Sequence, residues 1–242
     1  MTDPATLTPK AAQTDPQSAP PAPLWHTAVV LLLLAAMAAL SVRSGFVNPT
    51  AHGQHRILGY LITMAFEWII VGFIALGTPL RTLAGRFVYT WRAVLLDLGI
   101  AVAYLLLAQV ILGISTALVS RVLHSNVNDV LKNMLPQTPL ETALYLVLAL
   151  TAGICEETIF RGYLQHQFKA WTGSAFAAVV VQGLIFGSAH AYQGPAMVIV
   201  ISIYGCMFGS LAQWRKSLRP GMTAHFLQDA IGGIVLSRML AK

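Results

Sequence analysis

The chain has 242 residues, of which 56% are hydrophobic and only 10% are charged, and its mean hydropathy is +0.68. Soluble domains carry about a quarter charged residues, so an ordinary soluble domain is excluded. The formal net charge is +6, but the Lys and Arg residues stand singly or in short groups between apolar runs. Because no basic stripe alternates with aromatic residues, nucleic acid is excluded as a partner, and the lipid bilayer is expected instead.

The order of apolar and polar segments predicts an all-α, polytopic transmembrane helical bundle. Residues 1–23 are rich in Pro, Ala, Thr and Gln, so we expect a disordered N-terminal tail, followed by one integral membrane domain over residues 24–242. The chain contains seven apolar runs, and the length of each is close to the roughly 20 residues that a membrane-spanning helix needs. The runs are Ala28–Val42, Ile57–Leu76, Ala93–Val119, Thr142–Leu164, Ser174–Ala191, Met197–Trp214 and Met222–Leu240.

The basic residues between these runs predict the orientation. Eight Lys and Arg residues fall on the side of the N-terminus and six on the opposite side. Cytoplasmic loops carry the excess of Lys and Arg. We therefore expect a cytoplasmic N-terminus and a location in a bacterial inner membrane.

The run Cys155-Glu156-Glu157-Thr158-Ile159-Phe160-Arg161 places three charges inside an apolar segment. A charge at the centre of a membrane helix costs roughly 2.5 to 3.5 kcal/mol, so such residues usually face a cavity, pair with one another, and carry function. Glu157 and Arg161 are four residues apart, which predicts an ion pair on one helical face. Glu156 points about 100° away and stays available for chemistry.

Two further acidic residues, Glu67 and Asp97, lie in the second and third runs. Glu67 could pair across helices, and Asp97 lies close in sequence to Arg92. For both residues we favour a structural ion pair or a side chain that reaches the membrane surface over a catalytic role.

Two histidines fall in later apolar runs. His190 ends the fifth run with Phe186 one turn earlier, and His225 and Asp229 lie four residues apart in the seventh. Together with Glu156, these side chains could hold a water molecule, a metal ion such as zinc, or a developing oxyanion. This set could hydrolyse an amide, and its chemistry does not require a metal.

Two nucleophiles and one packing motif have plainer interpretations. Cys155 has no histidine nearby in sequence to activate it, and Ser188 lacks a Gly-x-Ser-x-Gly turn. The small residues Gly205 and Gly209, four apart, predict a close contact between helices.

Three motifs occur in order: Glu156-Glu157-x-x-x-Arg161, Phe186-x-x-x-His190 and His225-x-x-x-Asp229. They resemble the CPBP family of intramembrane proteases, which comprises the CAAX prenyl endopeptidases and the bacteriocin-processing or Abi proteins. The likeness covers about residues 142–235, the protease-like core, while the first three runs match only in being hydrophobic.

The resemblance implies a role for each motif. Glu156 would activate the catalytic water together with His190, while His225 and Asp229 would stabilise the oxyanion or complete a metal site. Glu157, Arg161 and Phe186 would support them. Asp229 departs from the eukaryotic-type prenyl proteases, which have Asn. Ionised Asp cannot donate a hydrogen bond, so Asp229 would be protonated, bind a metal, or orient His225.

The expected function is therefore that of an intramembrane endopeptidase acting on a membrane-associated protein or peptide. A non-catalytic immunity or scaffold protein of the same family is one alternative, and a proton-coupled transporter is another. In a simple serpentine bundle His190 and His225 would lie on opposite sides of the membrane. We therefore expect a short or bent fifth span, or a sixth that re-enters.

Overall fold

The computed structural model describes residues 20–43, 53–85, 90–124 and 134–240, and these are almost entirely helical, with no strand among them. An eight-residue π-helical segment, Glu157–Leu164, joins α5 to α6, and a 3₁₀ turn, Ala191–Gln193, joins α7 to α8. The α-helices are α1 Leu24–Arg43, α2 Gly53–Gly77, α3 Leu80–Leu83, α4 Trp91–Leu123, α5 Pro139–Glu156, α6 Gln165–Thr172, α7 Ala175–Ala189, α8 Pro195–Arg215 and α9 Arg219–Leu240.

The predicted helical membrane bundle is confirmed, with differences in two of its spans. Five helical stretches in the described part of the chain are long and apolar enough to cross a membrane: α1, α2, α4, the continuous stretch 139–172, and α8. The predicted fifth span, α7, has only 15 residues. The seventh, α9, has 22 residues but is less apolar, since it carries Arg219, His225 and Asp229. Of the predicted disordered tail, residues 1–19 lie outside the described residues.

The start of α5 is fixed by a capping box. The Thr138 hydroxyl accepts a hydrogen bond from the Glu141 backbone N–H, and the Glu141 carboxylate accepts one from the Thr138 backbone N–H. Arg56 of α2 pairs with the same carboxylate at 3.2 Å. The Thr138 and Glu141 side chains satisfy backbone N–H groups that a helix start leaves unpaired. Because Glu141 also pairs with Arg56, α5 begins at a defined position against α2.

The largest buried cluster joins the N-terminal helices to the π-helical segment. The Tyr163 hydroxyl lies 2.7 Å from Nδ1 of His26 and 2.9 Å from the Thr27 hydroxyl, which ties α1 to this segment. The apolar members that make the contact are Val30, Leu34, Ile70, Ile74, Ile159, Phe160, Leu164 and Phe186. The first two helices are therefore part of the core around Glu156.

Helices α7 and α8 pack closely because glycines lie at their contact. A Cβ atom added to Gly205 would lie 2.9 Å from the Gly183 Cα atom, and one on Gly187 would collide with the Val198 carbonyl oxygen. A Cβ atom on Gly209 would collide with the Gln182 side chain. The predicted packing role of Gly205 and Gly209 is confirmed.

Helix α4 lies on the outside of the bundle and packs on α8 and α9. Much of its surface consists of exposed leucine and valine side chains that suit contact with lipid. Its buried Asp97 accepts a hydrogen bond from Arg215 at 3.1 Å and also pairs with Arg219. The structural ion pair expected for Asp97 is confirmed, but its partners are distant in sequence and neither is Arg92.

We expect Gly205→Ala to lower stability by about 1–3 kcal/mol, because the added methyl group meets backbone atoms of Gly183 that cannot move away independently. Gly113→Ala is the matched control, since no atom lies within 4 Å of the Cβ position there. The control should be neutral or about 1 kcal/mol more stable. Thermal unfolding in detergent measures both, and equal midpoints would contradict the packing described.

Candidate active site

Three separate elements bring the predicted site residues together. Glu156 ends α5, His190 follows α7, and His225 lies in the second turn of α9. The Glu156 carboxylate lies 3.9 Å from Nε2 of His190 and 3.6 Å from Nε2 of His225. Its side chain is only 12% exposed. The structure thus places one carboxylate between two imidazole rings, in a site largely screened from solvent.

The chain changes its helical geometry at this point. From Glu157 to Leu164 the backbone is π-helical, and the Gln165 N–H donates to the Phe160 carbonyl five residues earlier. Every residue of the segment is buried. Single π-helical turns within α-helices occur often at functional sites. Here the turn directs Glu157 and Arg161 into the bundle directly after Glu156.

Glu157 forms the centre of a buried charge network. Its Oε1 atom lies 3.1 Å from Nη1 of Arg161, and both side chains are fully buried. The same oxygen accepts a hydrogen bond from Nδ1 of His225 at 3.0 Å. The predicted ion pair is present, and the link to His225 is an addition that spacing along one helix could not indicate.

Aromatic rings enclose the Arg161 guanidinium. Its Cζ atom lies 4.2 Å from the ring centre of Phe186 and 5.0 Å from that of Phe208. Phe186 is also tilted against His190 at 4.8 Å between ring centres, and Phe208 stacks on His225 at 5.2 Å. Cation–π contacts of this kind stabilise a desolvated guanidinium. The two rings therefore hold the ion pair and both histidines in one arrangement.

The hydrogen bonds made by Nδ1 of each histidine leave Nε2 facing Glu156. His190 Nδ1 lies 2.8 Å from the Phe186 carbonyl oxygen, so it carries the proton and donates it there. His225 Nδ1 donates in the same way to Glu157. The bond at Nδ1 determines which tautomer is present. Both rings therefore present Nε2 to the carboxylate.

Asp229 lies beside His225 at the more open edge of the site. Its Oδ2 atom is 3.6 Å from Nε2 of His225, and its side chain is 34% exposed. This distance is longer than a hydrogen bond. Asp229 and Glu156 thus approach the same nitrogen from two sides.

The short α7 explains how His190 reaches His225. A helix of 15 residues is about 22 Å long, less than the roughly 30 Å of hydrocarbon in a bilayer. A helix of this length that starts at one membrane surface would end inside the membrane thickness, and the 3₁₀ turn follows that end. This agrees with the short span that was one of the alternatives expected from the sequence.

A cavity of about 280 Å³ leads to Glu156 between α1, α2 and α5. Apolar side chains cover most of its wall, and polar groups stand at both ends. At the inner end these groups are Glu67, Glu156, His190 and Tyr192, and at the outer end Ser41, Arg56 and Tyr60. Such a cavity, mostly apolar with a few converging polar groups, is typical of a substrate site.

The structure corrects our expectation for Glu67. Its side chain is buried, and neither carboxylate oxygen has a hydrogen-bond partner among the described residues. It has not formed an ion pair across helices, nor does it reach the membrane surface. It lines the same cavity as Glu156. The sequence did carry a signal for Glu67, because a charge in an apolar span is costly and often functional. We gave this signal less weight than a structural ion pair.

Cys155 and Ser188, the two nucleophiles that the sequence did not favour, have packing roles in the structure. Cys155 is a fully buried member of the main core cluster. The Ser188 hydroxyl donates to the Leu184 carbonyl within its own helix. Neither side chain has the contacts of an activated nucleophile.

The donor set suits zinc in its chemistry, since imidazole and carboxylate are zinc ligands. In the residues that the structure describes, however, no group of three or more His, Cys, Asp or Glu side chains has the arrangement needed to hold a metal ion. As placed, these residues therefore lack the geometry of a zinc site.

The fold and the site define a polytopic helical membrane protein with a buried carboxylate and histidine centre. Residues 138–231 match the family model described as type II CAAX prenyl endopeptidase Rce1-like. This segment begins at the α5 capping box and ends just after Asp229. The resemblance inferred from the three motifs is confirmed over this segment of the chain.

A search of curated proteins gives a partial match. The chain is 32% identical over 88 residues to the uncharacterized protein YpbD of Bacillus subtilis (strain 168). The matched region is 36% of this chain and 42% of that protein, so it spans about two fifths of the relative's length. No solved structure matches the chain significantly.

We expect Arg161→Met to destabilise the protein by about 3–5 kcal/mol, because it leaves the Glu157 charge buried without its cation. The double variant Glu157→Gln/Arg161→Met removes both charges and should regain part of this loss. Thermal unfolding of the two single variants and the double variant completes the cycle. Strictly additive losses would show that the two side chains do not interact.

Proposed function

We propose that the protein is an intramembrane endopeptidase that hydrolyses a peptide bond in a membrane-associated protein or peptide. One observation carries this proposal: the Glu156 carboxylate stands between the Nε2 atoms of two histidines at the inner end of an apolar cavity. The match of residues 138–231 to a prenyl endopeptidase family supports it. The catalytic domain would occupy residues 24–242, with residues 142–235 as its core.

Glu156 and His190 would act on the attacking water. Glu156 accepts a proton as the water oxygen attacks the carbonyl carbon, and His190 orients the water through Nε2. A base must lie within hydrogen-bond reach of the proton that it removes, directly or through one water. The 3.9 Å between Glu156 and His190 exceeds a direct hydrogen bond but allows both groups to contact one water.

His225 would stabilise the oxyanion of the tetrahedral intermediate. With Nδ1–H donated to Glu157, a second proton on Nε2 makes the ring a donor toward the reacting carbonyl. The carboxylates of Glu157 and Asp229 compensate the resulting positive charge. This assigns Asp229 the task of holding His225 charged and oriented, a role that ionised Asp performs better than Asn.

The setting follows from the apolar helices and the family match. The substrate would reach the site from the bilayer through the cavity between α1, α2 and α5. We place the protein in a bacterial inner membrane, and the distribution of Lys and Arg along the chain favours a cytoplasmic N-terminus.

We expect Glu156→Ala to reduce hydrolysis by about 10²-fold or more, because the base is lost. The assay uses purified protein in liposomes with two quenched fluorescent peptides, one ending in a prenylated CAAX sequence and the other identical but without the lipid. Cys155→Ala is the control, since it changes the adjacent buried residue without touching the reacting groups and should keep the wild-type rate. Unchanged hydrolysis by Glu156→Ala would refute the proposal.

Hydrolysis should persist when a strong chelator is present, because the derived steps use only side chains. Metal analysis of the same purified sample provides the second measurement. One zinc ion per chain, lost together with activity on chelation, would show instead that Glu156, His190, His225 and Asp229 rearrange into a metal site.

A further inference from the structure

Glu67 of α2 brings a second carboxyl group to the inner end of the cavity. It lies outside the segment that matches the family model, which starts at residue 138. It is 2% exposed, and both of its oxygens lack a hydrogen-bond donor among the described residues. One oxygen of Glu156 is unsatisfied in the same way. Two adjacent carboxylates cannot satisfy each other unless one of them carries a proton.

The surrounding charges do not supply a cation for Glu67. Arg161 is paired with Glu157, and Arg56 at the outer end of the cavity is paired with Glu141. Even with both imidazoles protonated, the described site has more carboxylates than cations. The carboxylates are Glu67, Glu156, Glu157 and Asp229, and the cations are Arg161, His190 and His225.

The groups that share the inner end of the cavity with Glu67 come from two other elements. Glu156 ends α5, and His190 and Tyr192 follow α7. Of these three only His190 can become a cation, and its Nε2 atom faces Glu156 at 3.9 Å. A charge left on Glu67 would therefore be buried without compensation, which is far more costly than a neutral carboxylic acid.

We propose that Glu67 is a further catalytic residue: a carboxylic acid that shares one proton with Glu156 and delivers it to the leaving nitrogen. The inference rests on the proposed function. Two carboxyl groups that share one site and hold a single proton between them are a known arrangement for acid and base work.

The proposed step balances. The water oxygen bonds to the carbonyl carbon while one water proton goes to Glu156. The bond from carbon to nitrogen then breaks, and the nitrogen takes the proton of Glu67 and leaves as an amine. The proton on Glu156 passes to Glu67, which restores the starting state and leaves one water molecule added across the peptide bond.

The first test detects the shared proton without relying on hydrolysis. Infrared spectra of purified protein in lipid near neutral pH should show the carbonyl stretch of a neutral carboxylic acid, and Glu67→Gln should remove it. Asp97→Asn is the matched control, because Asp97 is also buried but is paired with two arginines and should contribute no such band. The absence of the band, or its persistence in Glu67→Gln, would overturn the proposal.

The second test measures hydrolysis of whichever fluorescent peptide the wild type cleaves. Glu67→Gln should lower kcat by about 10²-fold or more with little change in KM, and Glu67→Asp should regain part of the rate. The fall in the wild-type rate at high pH should change shape in Glu67→Gln, because the shared proton no longer contributes and only the loss of the second His225 proton remains. A purely structural role predicts no change in the shape of the pH profile.

The two failures are distinguishable. If the wild type cleaves neither peptide, the proposed function fails, while the infrared band still decides whether Glu67 holds a proton. If the wild type cleaves and Glu67→Gln cleaves equally well, the role of Glu67 is refuted and the proposed function stands. An unfolding temperature for Glu67→Gln equal to or above that of the wild type would show that the variant is folded, so that a lower rate reflects the loss of the carboxyl group.

Discussion

The contact between Glu157, Arg161 and His225 is the constraint on which the rest of the site depends. It joins the π-helical segment to α9 inside the bundle, where an unpaired member of the set would be very costly. Aromatic rings exclude water from it, so the three groups have few alternative partners. Because Glu157 occupies Nδ1 of His225, the other nitrogen of the ring is directed toward Glu156. A buried structural interaction thus fixes the geometry of the reacting groups.

The position of the second motif, which ends at His190, depends on backbone shape rather than on charge. Gly183, Gly187 and Gly205 let α7 and α8 pack with almost no space between their backbones. The close packing holds α7, which is too short to cross the bilayer, against a full-length neighbour. His190 can then follow the end of α7 within the membrane thickness and still reach Glu156. Small residues and helix length thereby place His190, and its Nδ1 atom donates to the Phe186 carbonyl of the same helix.

The sequence predicted those features that local geometry determines. Spacing of four residues fixes which side chains share a helical face, so the pairs of Glu157 with Arg161 and of His225 with Asp229 followed directly. Hydrophobic length likewise predicted most of the helices. Contacts between distant segments did not follow. Asp97 pairs with arginines more than a hundred residues away in sequence. Neither hydropathy nor residue spacing predicts the π-helical segment.

Asp97 and Glu67 show how the structure separates two residues that the sequence made equivalent. Both are acidic, both are buried in apolar helices, and both carry the same cost of desolvation. Asp97 recovers that cost from two arginines, which is sufficient reason for its presence in the bundle. Glu67 recovers it from no cation among the described residues and faces another carboxylate instead. A buried acid without a cation is more costly than an apolar side chain of similar size. The cavity beside Glu156 is where such a group would act, so α2 belongs to the site even though the family match begins at α5.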